Sequence, residues 1–354
     1  MAFKVGFIGF GGMVSGHHVG TIRRDDVPFE AVAAFDIDPA RRANAEEKGL
    51  KAYDNLEEFF AAGGYDLIVV GTANNYHCEM ACRAMEAGFN VMVEKPAARN
   101  SAELEKMIET SEKTGKLFTV HQNRRWDPDF LMIKQAIADG VIGKPYMIES
   151  RIHSANGNGD MYGWRGMNDH GGGMLLDWGV HMLDQVLFMI DEPIKTVSAN
   201  VFSLWSEEVD DYAKVIITFQ SGLVAQVEVV TYSPIPEARW NVFGDKGAMT
   251  MQEIGSPAIR VRRIKEDTLT RDIVNGFEDY KVIQREQSRH KITEFEEFDT
   301  NKTPGGSWHS LYQNLGGVLA GTEELIVKPA QVLRCMKVIE AAFKSSKEGV
   351  TVQF

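Results

Sequence analysis

Through the first 122 residues, short apolar runs alternate with amphipathic stretches. Lys4–Phe10, Ala31–Asp36, Leu67–Thr72, Val91–Glu94 and Leu117–Gln122 are rich in β-branched and aromatic side chains, as strands buried on both faces should be. Between them, Pro39–Lys48, His77–Ala87 and Ser101–Thr114 carry a helical period. The last follows Asn100, a candidate N-cap with Glu103 three residues on. This alternation predicts right-handed βαβ units and a parallel sheet.

After Gln122 the rhythm changes. Asp127–Asp139 reads as a helix, and Gly143-Lys144-Pro145 leads into a strand over Tyr146–His153. Residues 154–173 form a Gly/Asn-rich loop longer than a connector needs, which points to a functional or mobile segment. Lys214–Phe219 and Leu223–Val230 alternate apolar and polar positions around a Ser221-Gly222 hairpin turn. Trp240–Phe243 and Ala248–Gln252 flank a second turn at Asp245-Lys246-Gly247, and residues 331–347 read as a closing helix. The expected fold is α/β. An N-terminal Rossmann parallel sheet spans 1–122, and an α+β domain with a large, mostly antiparallel sheet spans 123–354.

Composition narrows the partners. The 38 basic and 50 acidic residues give a formal net charge of −12, which repels nucleic acid and anionic membrane. No apolar run approaches the roughly 20 residues that span a bilayer. Met1–Phe10 runs into Gly11-Gly12 instead of a small-residue cleavage site, so it reads as a strand and not a signal peptide. Three cysteines make no disulfide framework, and Cys78 and Cys82 alone fall short of a four-ligand zinc site. A cytoplasmic chain without metal is the expectation.

Two sets of residues carry chemistry. In the first, Gly9-Phe10-Gly11-Gly12-Met13-Val14 joins a strand to a helix, where Gly9 permits a tight turn and Gly11 lets backbone approach a pyrophosphate. Val14 stands where the third glycine of that fingerprint usually is. Asp36, 20 residues past Gly16, ends the second strand, where a carboxylate can take a ribose 2′-hydroxyl and repel a 2′-phosphate. NAD is therefore favoured over NADP.

The second set is Glu94-Lys95-Pro96, at a strand's C-terminal end, together with Gly171–Asp184. Open α/β sheets bind ligands beyond those ends. A lysine beside a cationic nicotinamide holds its proton less tightly, which suits proton transfer or a bond to the reacting oxygen. Asp177, His181 and Asp184 fall on one stripe of a 3.6-residue helix. His181 as a general base oriented by Asp177 is chemically sensible, whereas a solvent-facing polar stripe is the ordinary alternative. An Asp/His metal pair lacks a third ligand at fixed spacing.

Taken in order, the glycine loop with His17, Thr72-Ala73-Asn74-Asn75-Tyr76-His77, Glu94-Lys95-Pro96 and the glycine-rich run through Asp177 and His181 form a distinctive set. The chain resembles the glucose-fructose oxidoreductase, inositol dehydrogenase and rhizopine-catabolism family over nearly its whole length. His121-Gln122-Asn123-Arg124-Arg125-Trp126-Asp127 looks most like members acting on scyllo-inositol or glucosides. Ala73 stands where that family usually has proline.

The resemblance implies a catalytic set of Lys95, Asp177 and His181. The histidine takes a hydroxyl proton, the lysine stabilises the developing alkoxide, and the carbinol hydride passes to nicotinamide C4. Expected cofactor contacts are Gly9, Gly11, Gly12, Met13, Asp36, Thr72, Asn74, His77, Glu94, Lys95, Gln122 and Arg124. For Arg124, an internal ion pair to Asp127 is an equal alternative. Candidate substrate contacts are Arg151, His153, Tyr162, Trp164, Arg165, His309 and Tyr312, where aromatic rings stack on a sugar and the cations bond its hydroxyls. Family members pair through the second sheet, so a homodimer or homotetramer is expected. A redox-neutral glycosidase or epimerase-like enzyme retaining NAD, and a non-catalytic NAD-binding sensor, stand as the competing functions.

Overall fold

In the computed structural model the five apolar runs and one further short segment form six parallel strands: β1 (Phe3–Ile8), β2 (Phe29–Phe35), β3 (Lys51–Tyr53), β4 (Leu67–Val70), β5 (Asn90–Val93) and β6 (Phe118–Val120). Residues 2–154, 161–265, 269–274, 287–292 and 294–354 are described. The strand order is β3-β2-β1-β4-β5-β6, the doubly wound pattern of a Rossmann-like sheet. β4 is buried at every position, as a strand covered on both faces by helices must be. Those helices are α1 (Val19–Ile22), α2 (Pro39–Glu47), α3 (Leu56–Ala62), α4 (His77–Glu86) and α5 (Ser101–Thr114).

β3 and α3 were not anticipated. β3 is three residues long with no fully buried position, so it leaves no apolar run to read. At α5, Asn100 Oδ1 accepts the Glu103 backbone N–H at 2.9 Å. The Glu103 carboxylate turns to the Arg99 backbone N–H instead of completing a capping box.

The glycine loop shows how the sheet tolerates Val14. A Cβ on Gly71, at the end of β4, would lie 2.4 Å from Val14 Cγ2. The close approach that a third glycine normally grants the helix is granted here by Gly71 on the facing strand.

The rest of the chain builds a nine-stranded mixed sheet. After α6 (Pro128–Ala138) come β7 (Pro145–His153), α7 (Val180–Met189), β8 (Ile194–Phe202), β9 (Tyr212–Phe219), β10 (Val224–Val230), β11 (Trp240–Gly244), β12 (Gly247–Met251) and β13 (Ile259–Ile264). The strands β14 (Leu269–Val274) and β15 (Gln287–Ile292) pair separately. Then follow β16 (Phe295–Thr300), α8 (His309–Leu319), α9 (Pro329–Glu348) and β17 (Val352–Gln353). The sheet order is β16-β13-β12-β11-β7-β10-β9-β8-β17, antiparallel except where β7 runs parallel to β10.

Strand alternation decides its faces: Ala213, Val215, Ile217 and Phe219 of β9 are buried, and the intervening residues are not. α9 packs on β8 and α7 and also against α5 and β6, tying the two sheets together. Among the described residues no helix is long and apolar enough to cross a membrane.

Candidate active site

A cavity of about 510 Å³ opens between the C-terminal ends of the parallel strands and the helical segment before α7. Lys95 reaches it from just beyond β5. Its ammonium donates to the Asp177 carboxylate at 2.9 Å and to the Asp177 backbone carbonyl at 2.8 Å. Arg165 Nε lies 3.4 Å from the same carboxylate oxygen. Burial alone would raise the Asp177 carboxyl, but Lys95 and Arg165 outweigh it and hold the group below its usual range.

His181 lines the same cavity and is buried, with Nδ1 free of any hydrogen-bond partner. Burial, then the charges of Lys95 and Arg124, hold its imidazole well below the ordinary histidine value. It is therefore a neutral base at neutral pH.

One expectation is corrected here. Among the described residues no bond joins Asp177 to His181, because the ammonium of Lys95 is a charged donor and binds the carboxylate more strongly than a neutral imidazole. Nor does Asp184 continue the stripe. It forms a bidentate pair with Arg125 at 2.7 Å on each oxygen, away from the cavity. The segment Leu175–Gly179 is π-helical, which breaks the single 3.6-residue period.

The glycine run sets where this segment begins. A Cβ on Gly172 would lie 2.1 Å from the Arg165 carbonyl oxygen, and one on Gly173 (φ +105°) 2.3 Å from Asp210 Oδ1. Asp210 Oδ2 accepts the Leu175 N–H at 2.7 Å, holding the segment's first turn, and burial pushes its carboxyl up to about 6. No local pattern marked Asp210, because its partner is 35 residues away.

The glycine loop fits a dinucleotide. An added Cβ at Gly12 would meet nothing within 4 Å, and at Gly11 only the tip of Arg41 at 3.8 Å, so the backbone stands open. Gly9 (φ +86°) lies against Gly71, whose carbonyl oxygen would be 2.8 Å from its Cβ. Met13 lines the cavity. Asp36 is buried and each oxygen takes one backbone N–H, from Phe10 at 2.7 Å and Asp38 at 2.9 Å. Each oxygen keeps acceptor capacity for a ribose. Gln122 is buried with neither amide atom partnered, and Glu94 lines the cavity.

Three further proposed cofactor contacts are anchored within the fold. Thr72 donates to the Ala73 carbonyl, Asn74 donates to Gly171 O at 2.8 Å, and His77 is fully buried between the carbonyls of Pro96 and Thr72. Asn74 thereby ties the loop after β4 to the glycine run, and His77 ties it to the segment after β5. For Arg124 the internal ion pair is present. The guanidinium pairs with Asp127 at 2.9 Å and lines the cavity, wedged between the rings of Trp178 and Trp308 at 4.5 and 5.2 Å.

Of the substrate candidates, Tyr162 and Arg165 line the cavity, and Trp164 stacks on Arg165 beside it. The other four do not. Arg151 and His153 project from the sheet's other face among Glu149, Glu228 and Glu237, because strand alternation points them away from the core side. His309 contacts Ser307 and Asp26 at a neighbouring groove. Tyr312 is fully buried behind the cavity. Trp178, Trp308 and His121 line the cavity although none was among the expected contacts. His121 stood just past a strand end, where the strand-end rule could have found it; Trp308 arrives from the far end of the chain and carried no local signal.

Known proteins agree with this architecture. The family described as "Oxidoreductase family, NAD-binding Rossmann fold" matches residues 3–122, and the GFO/IDH/MocA C-terminal domain matches residues 130–250. The chain belongs to the GFO/IDH/MocA family of NAD-binding oxidoreductases. An NAD-binding protein from Listeria innocua has the same fold with a TM-score of 0.86 and 34% identity, covering 100% of this chain and 97% of that one. Myo-inositol 2-dehydrogenase of Thermotoga maritima is 28% identical, over 69% of this chain and 73% of its own. The scyllo-inositol 2-dehydrogenase (NADP(+)) of Bacillus subtilis is 28% identical, over 84% of this chain and 81% of its own.

Proposed function

We propose that this protein moves a hydride between a secondary alcohol of a sugar, glycoside or cyclitol and nicotinamide C4. The observation that carries the proposal is the convergence of Lys95, Asp177 and a neutral, unpartnered His181 on one cavity beyond the ends of the parallel strands. When bound, the nicotinamide supplies the hydride acceptor or donor. His181 takes the hydroxyl proton during oxidation and returns it during reduction, which its lowered affinity for protons permits at neutral pH. Lys95, fixed by Asp177, places a positive charge beside the oxygen as it becomes an alkoxide. Trp178, Trp308 and Tyr162 offer apolar ring faces, and Arg124 and Arg165 offer donors, the mixture that binds a polyol.

Asp36 supports NAD as the working cofactor, through a carboxylate whose place would repel a 2′-phosphate. The expected homodimer or homotetramer would use the sheet's outer face, where Arg151 Nη1 is buried without a hydrogen-bond partner. Light scattering tests that.

The activity test is NADH formation by absorbance at mildly alkaline pH, with NAD and then NADP. The panel holds myo- and scyllo-inositol, glucose, xylose and simple glucosides. Reduction of cofactor by one of them is expected. Binding of NAD without net reduction by any of the panel would move the assignment to a redox-neutral enzyme or a sensor.

A further inference from the structure

Beside the catalytic cavity runs a buried chain of titratable groups that the proton transfer above does not use. Tyr312 Oη lies 2.6 Å from His18 Nδ1, His18 Nε2 lies 2.6 Å from Glu94 Oε1, and His121 Nδ1 lies 2.8 Å from that same oxygen. The second Glu94 oxygen accepts the Lys95 backbone N–H at 3.0 Å. All four side chains are at most 8% exposed.

The chemistry of the donors fixes the pattern. A carboxylate only accepts, so His18 must carry its proton on Nε2 and His121 on Nδ1, and His18 Nδ1 must then accept from the Tyr312 hydroxyl. Burial would raise the Glu94 carboxyl, but His121 and His18 outweigh it and keep the group ionised. Burial, then His121, lowers His18, so it stays neutral despite Glu94.

Glu94 and His121 line the cavity that also holds Lys95 and His181. In a Rossmann fold a dinucleotide with its pyrophosphate on the first turn extends across the strand ends toward that cavity. We propose that Tyr312, His18, Glu94 and His121 form a charge-holding array that lets the protein bind the oxidised, cationic nicotinamide more tightly than the reduced, neutral one. The inference rests on the hydride-transfer reading. A fixed carboxylate in a site largely closed to water attracts a cation and is indifferent to a neutral ring. By linkage the same factor enters the equilibrium on the protein. It draws that equilibrium toward carbonyl reduction, in which the carbonyl carbon gains a hydride from the reduced cofactor and its oxygen gains a proton that His181 takes up from solvent and passes on.

The test is calorimetric titration of the full chain with NAD+ and with NADH, read as the ratio of the two dissociation constants. Glu94→Gln keeps the side chain's shape and removes its charge. It should raise the Kd(NAD+)/Kd(NADH) ratio at least tenfold, since one unit charge even about 12 Å away at an effective permittivity of about 20 would shift it by that much. Tyr312→Phe, which does not touch the cavity, should shift the ratio about two- to threefold in the same direction, because its hydroxyl bonds His18, which in turn bonds Glu94. A merely structural Tyr312 would lower the melting temperature and leave the ratio alone.

An unchanged ratio in a folded Glu94→Gln chain, or an equal loss of both affinities, overturns the array. If that variant does not fold, the Tyr312→Phe ratio decides alone. Wild-type chain that binds neither dinucleotide overturns both this inference and the hydride-transfer reading; binding of both with no preference touched by either variant overturns this one only. One zinc per chain, lost on His121→Asn, would make His18, Glu94 and His121 metal ligands and also overturn it.

Discussion

Asp177 and Asp184 stand on the same helical segment, each paired with a cation from elsewhere in the chain, yet the two pairs are built for different ends. Arg125 and Asp184 are 1% and 2% exposed, bonded through both carboxylate oxygens, with Arg125 also donating to Ile326 O and Gln331. Every group there is satisfied. Lys95 and Asp177 instead face a cavity, with an unpartnered His181 nitrogen beside them. A saturated pair holds helix to helix; an unsaturated one keeps bonding capacity for a ligand.

Removing one cation from each pair should separate catalysis from stability. Lys95→Ala, and equally His181→Ala, should lower turnover by roughly 10²–10⁴ while the fold remains, as expected for a positioned acid or base. Steady-state rates with the best substrate of the panel, beside a thermal melt, check this. Near-normal turnover would strike that residue from the mechanism.

Arg125→Met should do the reverse. Stranding the buried Asp184 carboxylate is expected to destabilise the fold by about 3–5 kcal/mol, with little change in turnover of the chains still folded. Urea denaturation measures it, and a loss under about 1 kcal/mol would mean that the pair is replaceable by packing.

Acid should act on the cavity side as well. Burial lowers His18, His77 and His181, so the folded chain leaves them neutral where the unfolded chain takes up protons. Stability is then fully present above about pH 6.5 and falls below it. The slope is on the order of 1.4 kcal/mol per pH unit for each fully engaged histidine. Denaturation midpoints from pH 7.5 to 5 test this, and a flat profile across that range would refute it.

The smallest effect concerns the far end of the proposed cofactor site. Asp36→Ala should weaken NAD about tenfold and narrow its margin over NADP, because the 2′-hydroxyl loses an acceptor and a 2′-phosphate loses a repelling charge. Titration with both cofactors decides it. Unharmed NAD binding would remove the ribose role.

How far the sequence could be read follows the same division. The parallel strands were legible because burial on both faces leaves unbroken apolar runs, and Lys95 and His181 because strand ends and a glycine run announce where ligands come close. Partners were less so. Arg151 looked like a sugar contact and Tyr312 a stacking ring, yet one points to the sheet's outer face and the other lies sealed behind the cavity. An aromatic or a cation in isolation has the same signature in a core as in a pocket.

Local chemistry along the chain therefore determined the Rossmann-like sheet, the open glycine turn with Asp36, and the ionisable residue types at Lys95, Asp177 and His181, since period, turn and charge are properties of neighbouring residues. Tertiary structure alone decided who holds whom. It gave Asp177 to Lys95 rather than His181, hid Asp184 with Arg125, set Arg124 between two tryptophans, and joined Tyr312 to Glu94 through His18. Those pairings span tens to hundreds of residues, and a hydrogen bond or ion pair between distant side chains forms only where packing has first brought them within about 3 Å.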